Sequence, residues 1–254
     1  DLVKTKIDNF SVRQYKKLRM CVNNDTIYSD IFQFPAAHYS FNLHKIERYW
    51  DVDVSYKEPP DDEELLELLE SSVKYRKISD VDVGCYLSGG LDSTILTYLV
   101  KPEHTWSVGF EELNEFKWSD IVSKKFETIH NQTLVDMDSF YQTLDWMIDK
   151  RKEPLSVPNE ILIYLMTLRA KEKNTVILSG EGADELFFGY DRIFTWAKNA
   201  SSLVPEEFDK MYCYGEREDK KVLTFALSNL KGDTVLQKIN YYFLTNHIQG
   251  LLRR

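Results

Sequence analysis

Val81, Val83, Cys85 and Leu87 fall at every second position and run into Ser88-Gly89-Gly90, the pattern of a strand that ends in a turn. From Ser93 to Val100 the apolar spacing becomes helical. Thr105 to Phe110 predicts a second strand, 115–127 a helix, 129–135 a third strand, and 137–150 and 159–172 two more helices. Thr175-Val176-Ile177-Leu178 is a short apolar run that stops at Ser179-Gly180, again strand into glycine turn. Strands alternating with helices imply crossover connections and a doubly wound, mostly parallel α/β sheet. Ligands of such sheets bind outside the carboxyl ends of the strands. Both glycine turns fall there.

The flanking regions follow other patterns. Lys57-Glu58-Pro59-Pro60-Asp61-Asp62 interrupts any regular element. Asp61 can then cap a helix, with Glu64 three residues on and Leu65, Leu66, Leu68, Leu69 and Val73 along one face. Residues 1–56 mix short polar and aromatic stretches and read as strands and turns, whereas 186–254 read as largely helical. No internal repeat or low-complexity tract is present.

Composition narrows the class. The chain has 254 residues, 41 acidic and 32 basic, a net charge of −9, with 43% hydrophobic and 13% aromatic residues. That is enough apolar material for a sizeable core. The acidic balance argues against binding nucleic acid by charge alone. No apolar run approaches the roughly 20 residues of a membrane span, and Cys21, Cys85 and Cys213 form no CxxC pair. A cytoplasmic location is therefore expected. The five histidines, His38, His44, His104, His130 and His247, show no shared metal-ligand spacing. Lys150-Arg151-Lys152 reads as a solvated helix end. Asp1 is not an initiator methionine, and Leu251-Leu252-Arg253-Arg254 carries no cap signal, so a stretch of a longer protein is expected.

Ser88-Gly89-Gly90-Leu91-Asp92-Ser93 carries the first chemical signal. Adjacent glycines let backbone N–H groups converge on an oxyanion, and the following helix N-terminus adds positive dipole. Ser88 and Ser93 supply hydroxyl donors, and Asp92 among them makes sense chiefly as a Mg²⁺ ligand. The turn lacks the lysine of a GxxxxGK[ST] loop. An ordinary Ser/Gly-rich βα turn is the plain alternative. The motif resembles the pyrophosphate loop of the PP-loop ATP pyrophosphatases, the adenine nucleotide alpha-hydrolase-like enzymes. The resemblance implies adenylation, in which a substrate oxygen attacks the α-phosphate of ATP and pyrophosphate leaves.

Leu178-Ser179-Gly180-Glu181-Gly182-Ala183-Asp184-Glu185-Leu186-Phe187-Phe188-Gly189-Tyr190 places three carboxylates in a glycine turn before a helix. Acids favoured by the helix dipole would explain them plainly. A second carboxylate, Asp92, on a neighbouring turn makes a shared Mg²⁺ the better account, because a carboxylate nucleophile must approach an anionic triphosphate. This stretch resembles the signature of the asparagine synthetase family. Trp106-Ser107-Val108-Gly109-Phe110 and Glu153-Pro154 also fit that family's pattern. Thr26 to His38 resembles the tail of its N-terminal glutaminase domain, and the final Leu-Leu-Arg-Arg resembles the start of a motif that continues beyond this chain.

The resemblance implies two regions: 1–58, a remnant of a glutaminase-type domain with its linker, and 59–254, an ATP-pyrophosphatase domain truncated at its C-terminus. It implies an ATP site of Leu87, Ser88, Gly89, Gly90, Asp92, Ser93, Val108, Ser179 and Gly180, with Mg²⁺ on Asp92 and Asp184. Glu181 would orient the acyl substrate and handle protons as the catalytic residue. The activity implied is a carbon–nitrogen ligase forming an amide through an acyl-adenylate, aspartate being the expected substrate. Ammonia would come from a glutaminase domain outside this chain, and a homodimer is compatible. A relative acting on another carboxylate, such as a lactam synthetase, stays open, as do a non-catalytic nucleotide-binding homologue and a tRNA-modifying enzyme. Two departures stand out. The family's glutaminase nucleophile is a processed N-terminal cysteine, which does not open this chain, and a lysine the family places downstream lies past Arg254. The chain alone is therefore expected not to hydrolyse glutamine.

Overall fold

The structure, a computed structural model, describes residues 4–42, 44–55, 57–215 and 219–252. Asp1, Arg253 and Arg254 lie outside the described residues. Two compact units divide the chain: Lys57–Glu181, and Asp1–Tyr56 together with Gly182–Arg254.

The first segment departs from the strands and turns expected of it. It opens with a helix, α1 (Asn9–Leu18), and its regular strands are the two-residue antiparallel pair β1 (His38–Tyr39) and β2 (Glu47–Arg48). Asp8 caps α1 by accepting the Ser11 N–H at 2.7 Å. The buried face of α1 is Ser11, Gln14, Lys17 and Leu18, which has helical spacing but is mostly polar. Hydrophobic periodicity cannot register such a face. Its polar groups are satisfied internally: Gln14 donates to Asp25 at 2.8 Å and accepts the Val22 N–H at 2.9 Å, and Lys17 pairs with Asp209.

The Lys57–Glu181 unit is the expected α/β sheet. Its elements are α2 (Asp62–Arg76), β3 (Val83–Tyr86), α3 (Leu91–Val100), β4 (His104–Gly109), α4 (Phe116–Phe126), β5 (Ile129–Leu134), α5 (Met137–Arg151), α6 (Asn159–Ala170) and β6 (Val176–Leu178). The order β5-β4-β3-β6 is parallel throughout. From β3 the chain steps outward to β4 and β5, then returns through α5 and α6 to pair on the other side of β3. The strand order therefore reverses between β3 and β6, which is where a doubly wound sheet offers its crevice.

Alternation assigns the two faces. Val83 and Cys85 pack with Val73, Leu96, Leu99 and Val100 of α2 and α3. Tyr86, Trp106, Val108 and Ile177 pack with Met166 and Ala170 of α6. On that second face the Trp106 indole N–H donates to the buried Asn174 at 2.9 Å. Asp61 caps α2 as expected, accepting the Glu64 N–H at 2.9 Å. The buried stripe of α2 is narrower than its leucines suggested: Leu65, Leu69 and Val73 turn inward, while Leu66 and Leu68 are exposed. Helix α3 begins at Leu91, two residues before its apolar spacing does, because Gly90 already takes the N-cap conformation.

The chain then rejoins the unit that holds residues 1–56 as α7 (Ala183–Phe187), α8 (Asp191–Asn199), α9 (Pro205–Tyr212), α10 (Lys220–Ala226), α11 (Val235–Tyr242), a π-helical turn (Phe243–His247) and α12 (Ile248–Leu252). Leu18, Met20 and Val22 share one core with Ile193, Phe208, Val222, Ile239, Tyr242 and Phe243. Edge-on aromatic pairs, such as Phe208–Tyr242 at 5.3 Å and Phe10–Phe225 at 5.3 Å, tie its layers. Among the described residues no helix is long and apolar enough to cross a membrane.

Candidate functional site

The carboxyl ends of β3 and β6 carry the two glycine turns. Leu87, 1% exposed, continues the sheet by donating its N–H to the Trp106 carbonyl at 2.8 Å. The chain then turns sharply. Gly89 has φ +89°, and a Cβ there would lie 2.5 Å from the carbonyl carbon of Trp118 and 2.6 Å from the Ser119 nitrogen. Only glycine meets both demands. Ser88 Oγ accepts the Gly90 N–H at 3.1 Å and lies 3.0 Å from Ser93 Oγ, which donates to the Gly90 carbonyl at 3.2 Å. These bonds brace the turn from within.

Gly90 is the N-cap of α3 and has no side chain to occupy the first-turn N–H groups. That helix end therefore keeps donors and positive dipole for an anion. Gly180, after β6, comes against the same place: a Cβ on it would lie 3.3 Å from Asp92 Cβ and 3.5 Å from the Ser93 nitrogen. Leu87, Ser88, Gly89, Gly90, Asp92, Ser93, Ser179 and Gly180 are thus brought to one sheet edge. Val108 sits near the end of the neighbouring strand β4, half-buried on the α6 face. Ser88, Asp92, Ser179 and Glu181 are exposed there.

Asp184 belongs to the other unit, in the first turn of α7, and is exposed. Gly189 shapes its surroundings. The Gly189 N–H donates to the Asp184 carbonyl at 2.9 Å, and a Cβ on Gly189 would fall 1.8 Å from Asp184 Oδ1. Glu185, next in sequence, behaves oppositely: it is 1% exposed, accepts the Tyr190 hydroxyl at 2.7 Å and lies 3.4 Å from His247 Nε2. Of the three clustered acids, Glu185 is therefore an internal anchor, and Glu181 and Asp184 face solvent.

Asp92 and Asp184 are accessible hard oxygen donors, the chemistry Mg²⁺ takes. In nucleotide sites Mg²⁺ needs one or two carboxylates, with phosphates and water completing the shell. Each aspartate is a donor of that kind within its own unit, and no cluster of three or more ligating side chains is found among the described residues. Burial against α2 and α3 pushes the Cys85 thiol up to about 12, and burial also raises Cys213, so both are packing groups at neutral pH.

The basic run 150–152 differs from a simple solvated helix end. Arg151 donates at 2.5 Å to Glu160, which is 2% exposed, while Lys152 pairs with Asp149. The other Glu160 oxygen accepts the Ser156 and Val157 N–H groups at 2.6 and 3.2 Å. One buried carboxylate thus closes the loop that follows Glu153-Pro154. Nothing in the sequence marks Glu160, because its role depends on the loop folding back onto α6.

A sequence model of the asparagine synthase family matches residues 64–245. Asparagine synthetase B of Escherichia coli, named as glutamine-hydrolysing, is 29% identical over 216 residues, covering 71% of this chain and 37% of the relative. A glutamine-hydrolysing asparagine synthetase of Bacillus subtilis is 34% identical over 135 residues, covering 50% of this chain and 21% of its own length. One from Bos taurus is 31% identical over 137 residues, covering 48% of this chain and 24% of the relative. The chain spans well under half the length of these curated relatives.

Proposed function

This chain belongs to the asparagine synthase family, and on that footing we propose that it contributes the nucleotide half of an ATP-dependent, amide-forming ligase. In this reading the Ser88–Ser93 turn holds the pyrophosphate portion of ATP, and Leu87, Val108, Ser179 and Gly180 surround the adenosine. By the family resemblance Asp92 and Asp184 would hold Mg²⁺, which would neutralise triphosphate charge. A substrate carboxylate oxygen bonds to the α-phosphorus as the α–β phosphate bond breaks and pyrophosphate leaves. Ammonia then bonds to the acyl carbon, AMP leaves, and the surplus proton is taken up at the Glu181 carboxylate.

The observation that carries the reading is the placing of two glycine turns side by side at the sheet's switch point, Gly180 lying against the first turn of α3. Aspartate as acyl substrate and glutamine-derived ammonia are carried over from the family resemblance, and a cytoplasmic setting from the cysteine usage. So are the assignment of residues 1–58 to a glutaminase-type domain with its linker and of 59–254 to the synthetase domain. The family match beginning at residue 64 supports the second assignment.

Pyrophosphate release by the full-length protein, supplied with ATP, Mg²⁺, aspartate and ammonia, tests the reading. We expect release to require aspartate, and Asp92→Asn and Asp184→Asn each to remove it. Glu181→Gln keeps size and an acceptor oxygen but loses charge, so we expect ATP affinity within a few-fold of wild type and amide formation lower by roughly 10²-fold. Wild-type turnover in Glu181→Gln would return that residue to a structural role, and ATP consumption indifferent to every carboxylate would sink the ligase.

A further inference from the structure

We propose that His130 is a positioning residue of the Ser88–Ser93 turn, acting through Ser119 on the backbone against which Gly89 lies. The inference rests on the nucleotide-binding reading for its consequence, but on geometry for its mechanism.

His130 is on the edge strand β5, half-buried, and bonds through both ring nitrogens. Nδ1 lies 2.9 Å from Thr105 Oγ1. Nε2 lies 2.9 Å from Ser119 Oγ and 3.1 Å from Ser107 Oγ. The imidazole therefore joins β4 and β5 to the first turn of α4, where Ser119 is fully buried. The Phe116 carbonyl, 3.1 Å from Ser119 Oγ, is the alternative acceptor for the single Ser119 hydroxyl hydrogen.

The hydroxyl network assigns the tautomer. Thr105 lies 2.8 Å from Thr128, Thr128 donates to Ser123 at 3.0 Å, and Ser123 donates to the Thr128 carbonyl at 3.1 Å. With the Thr105 hydroxyl hydrogen spent on Thr128, its oxygen is left to accept Nδ1–H. Nε2 is then the acceptor facing Ser107 and Ser119. Burial favours this neutral ring and holds its pKa below the ordinary histidine range, against an opposing pull from Asp120.

The far side of the same α4 turn is the surface Gly89 meets. The Trp118 carbonyl carbon and the Ser119 nitrogen are the atoms that a Gly89 Cβ would strike, at 2.5 and 2.6 Å. The turn thus has a backstop, and His130 fixes it. A shift of a few tenths of an ångström in residues 118–119 opens space behind Gly89 and lets its N–H groups leave the anion geometry, a misplacement that binding sites tolerate poorly.

His130→Asn and His130→Gln separate the two sides of the ring. Asparagine reaches only toward Thr105, whereas the longer glutamine can present an acceptor to Ser119. In the full-length protein we expect His130→Asn and Ser119→Ala to speed amide hydrogen exchange across 88–93 about tenfold, leaving 83–86 unchanged. ATP affinity should fall about tenfold in both, and His130→Gln should stay within threefold of wild type in both readouts. Unchanged exchange at 88–93 in His130→Asn overturns the proposal. So do an equal rise at 83–86, failure of glutamine to rescue, or faster exchange with unaltered ATP affinity. Should His130→Asn fail to fold, Ser119→Ala decides, since it removes one hydroxyl. A wild-type protein that binds no ATP refutes the nucleotide reading instead, and the exchange pattern still judges His130.

Discussion

Gly89 and Gly90 stand side by side in the turn and are constrained very differently. Gly89 combines φ +89° with backbone atoms under 3 Å from any Cβ, whereas Gly90 has an ordinary extended conformation and meets only Ser88 Oγ, at 3.3 Å. Gly89→Ala should therefore cost more than the roughly 1–2 kcal/mol of the left-handed conformation alone and abolish nucleotide binding. Gly90→Ala should stay within about 1 kcal/mol of wild type. Denaturant unfolding and ATP titration of the two variants check this; equal losses would mean that the α4 backbone yields. The turn itself could be read from sequence because its geometry is local: glycine, hydroxyl and carboxylate within six positions. His130, Glu160 and Glu185 could not. Each owes its role to partners distant in sequence or to a loop folded over it, and a polar residue in a polar stretch gives no sign that it will be enclosed.

Among the elements, those of the sheet unit could be read closely. β3 alternates from Val81 to Leu87, β6 is a short apolar run ending in a glycine turn, and capping aspartates mark starts, as Asp136 does for α5 by accepting the Ser139 N–H at 2.7 Å. Helix α1 escaped because its inward stripe is Ser11, Gln14 and Lys17, whose burial depends on Asp25 and Asp209. The join between α5 and α6 escaped for a related reason. It is ordered by Glu160, which is enclosed with Arg151 and two backbone N–H groups. Removing Glu160 leaves the partly exposed Arg151 and two loop N–H groups without their acceptor, so Glu160→Ala should lower stability by about 2 kcal/mol. Proteolytic cleavage should move to residues 152–158, as limited digestion followed by mass spectrometry would show. A variant as stable and as resistant as wild type would mean that the loop holds without its carboxylate.

At the scale of the whole chain, continuity separates the two units. Residues 57–181 are one uninterrupted stretch with a complete four-stranded sheet and helices on both faces. Expressed alone, that stretch should fold and melt cooperatively, within the size range of independent domains. Residues 1–56 alone should not, because Leu18, Met20 and Val22 find their apolar partners between residues 190 and 243. Circular dichroism melts of the two fragments would settle it; a featureless melt for 57–181 would show that the sheet depends on the remainder of the chain.

The same discontinuity sets a schedule for synthesis. The stretch from 57 to 181 is 181 − 56 = 125 residues long. A ribosome adding roughly 5–20 residues per second needs about 6–25 s to make it. Throughout that interval α1 and the segment Met20–Val22 have emerged without the core they will join, while the sheet behind them can already form. A segment made before the sheet is thus buried only after it, and for those seconds its apolar side chains wait for partners that have yet to be synthesised.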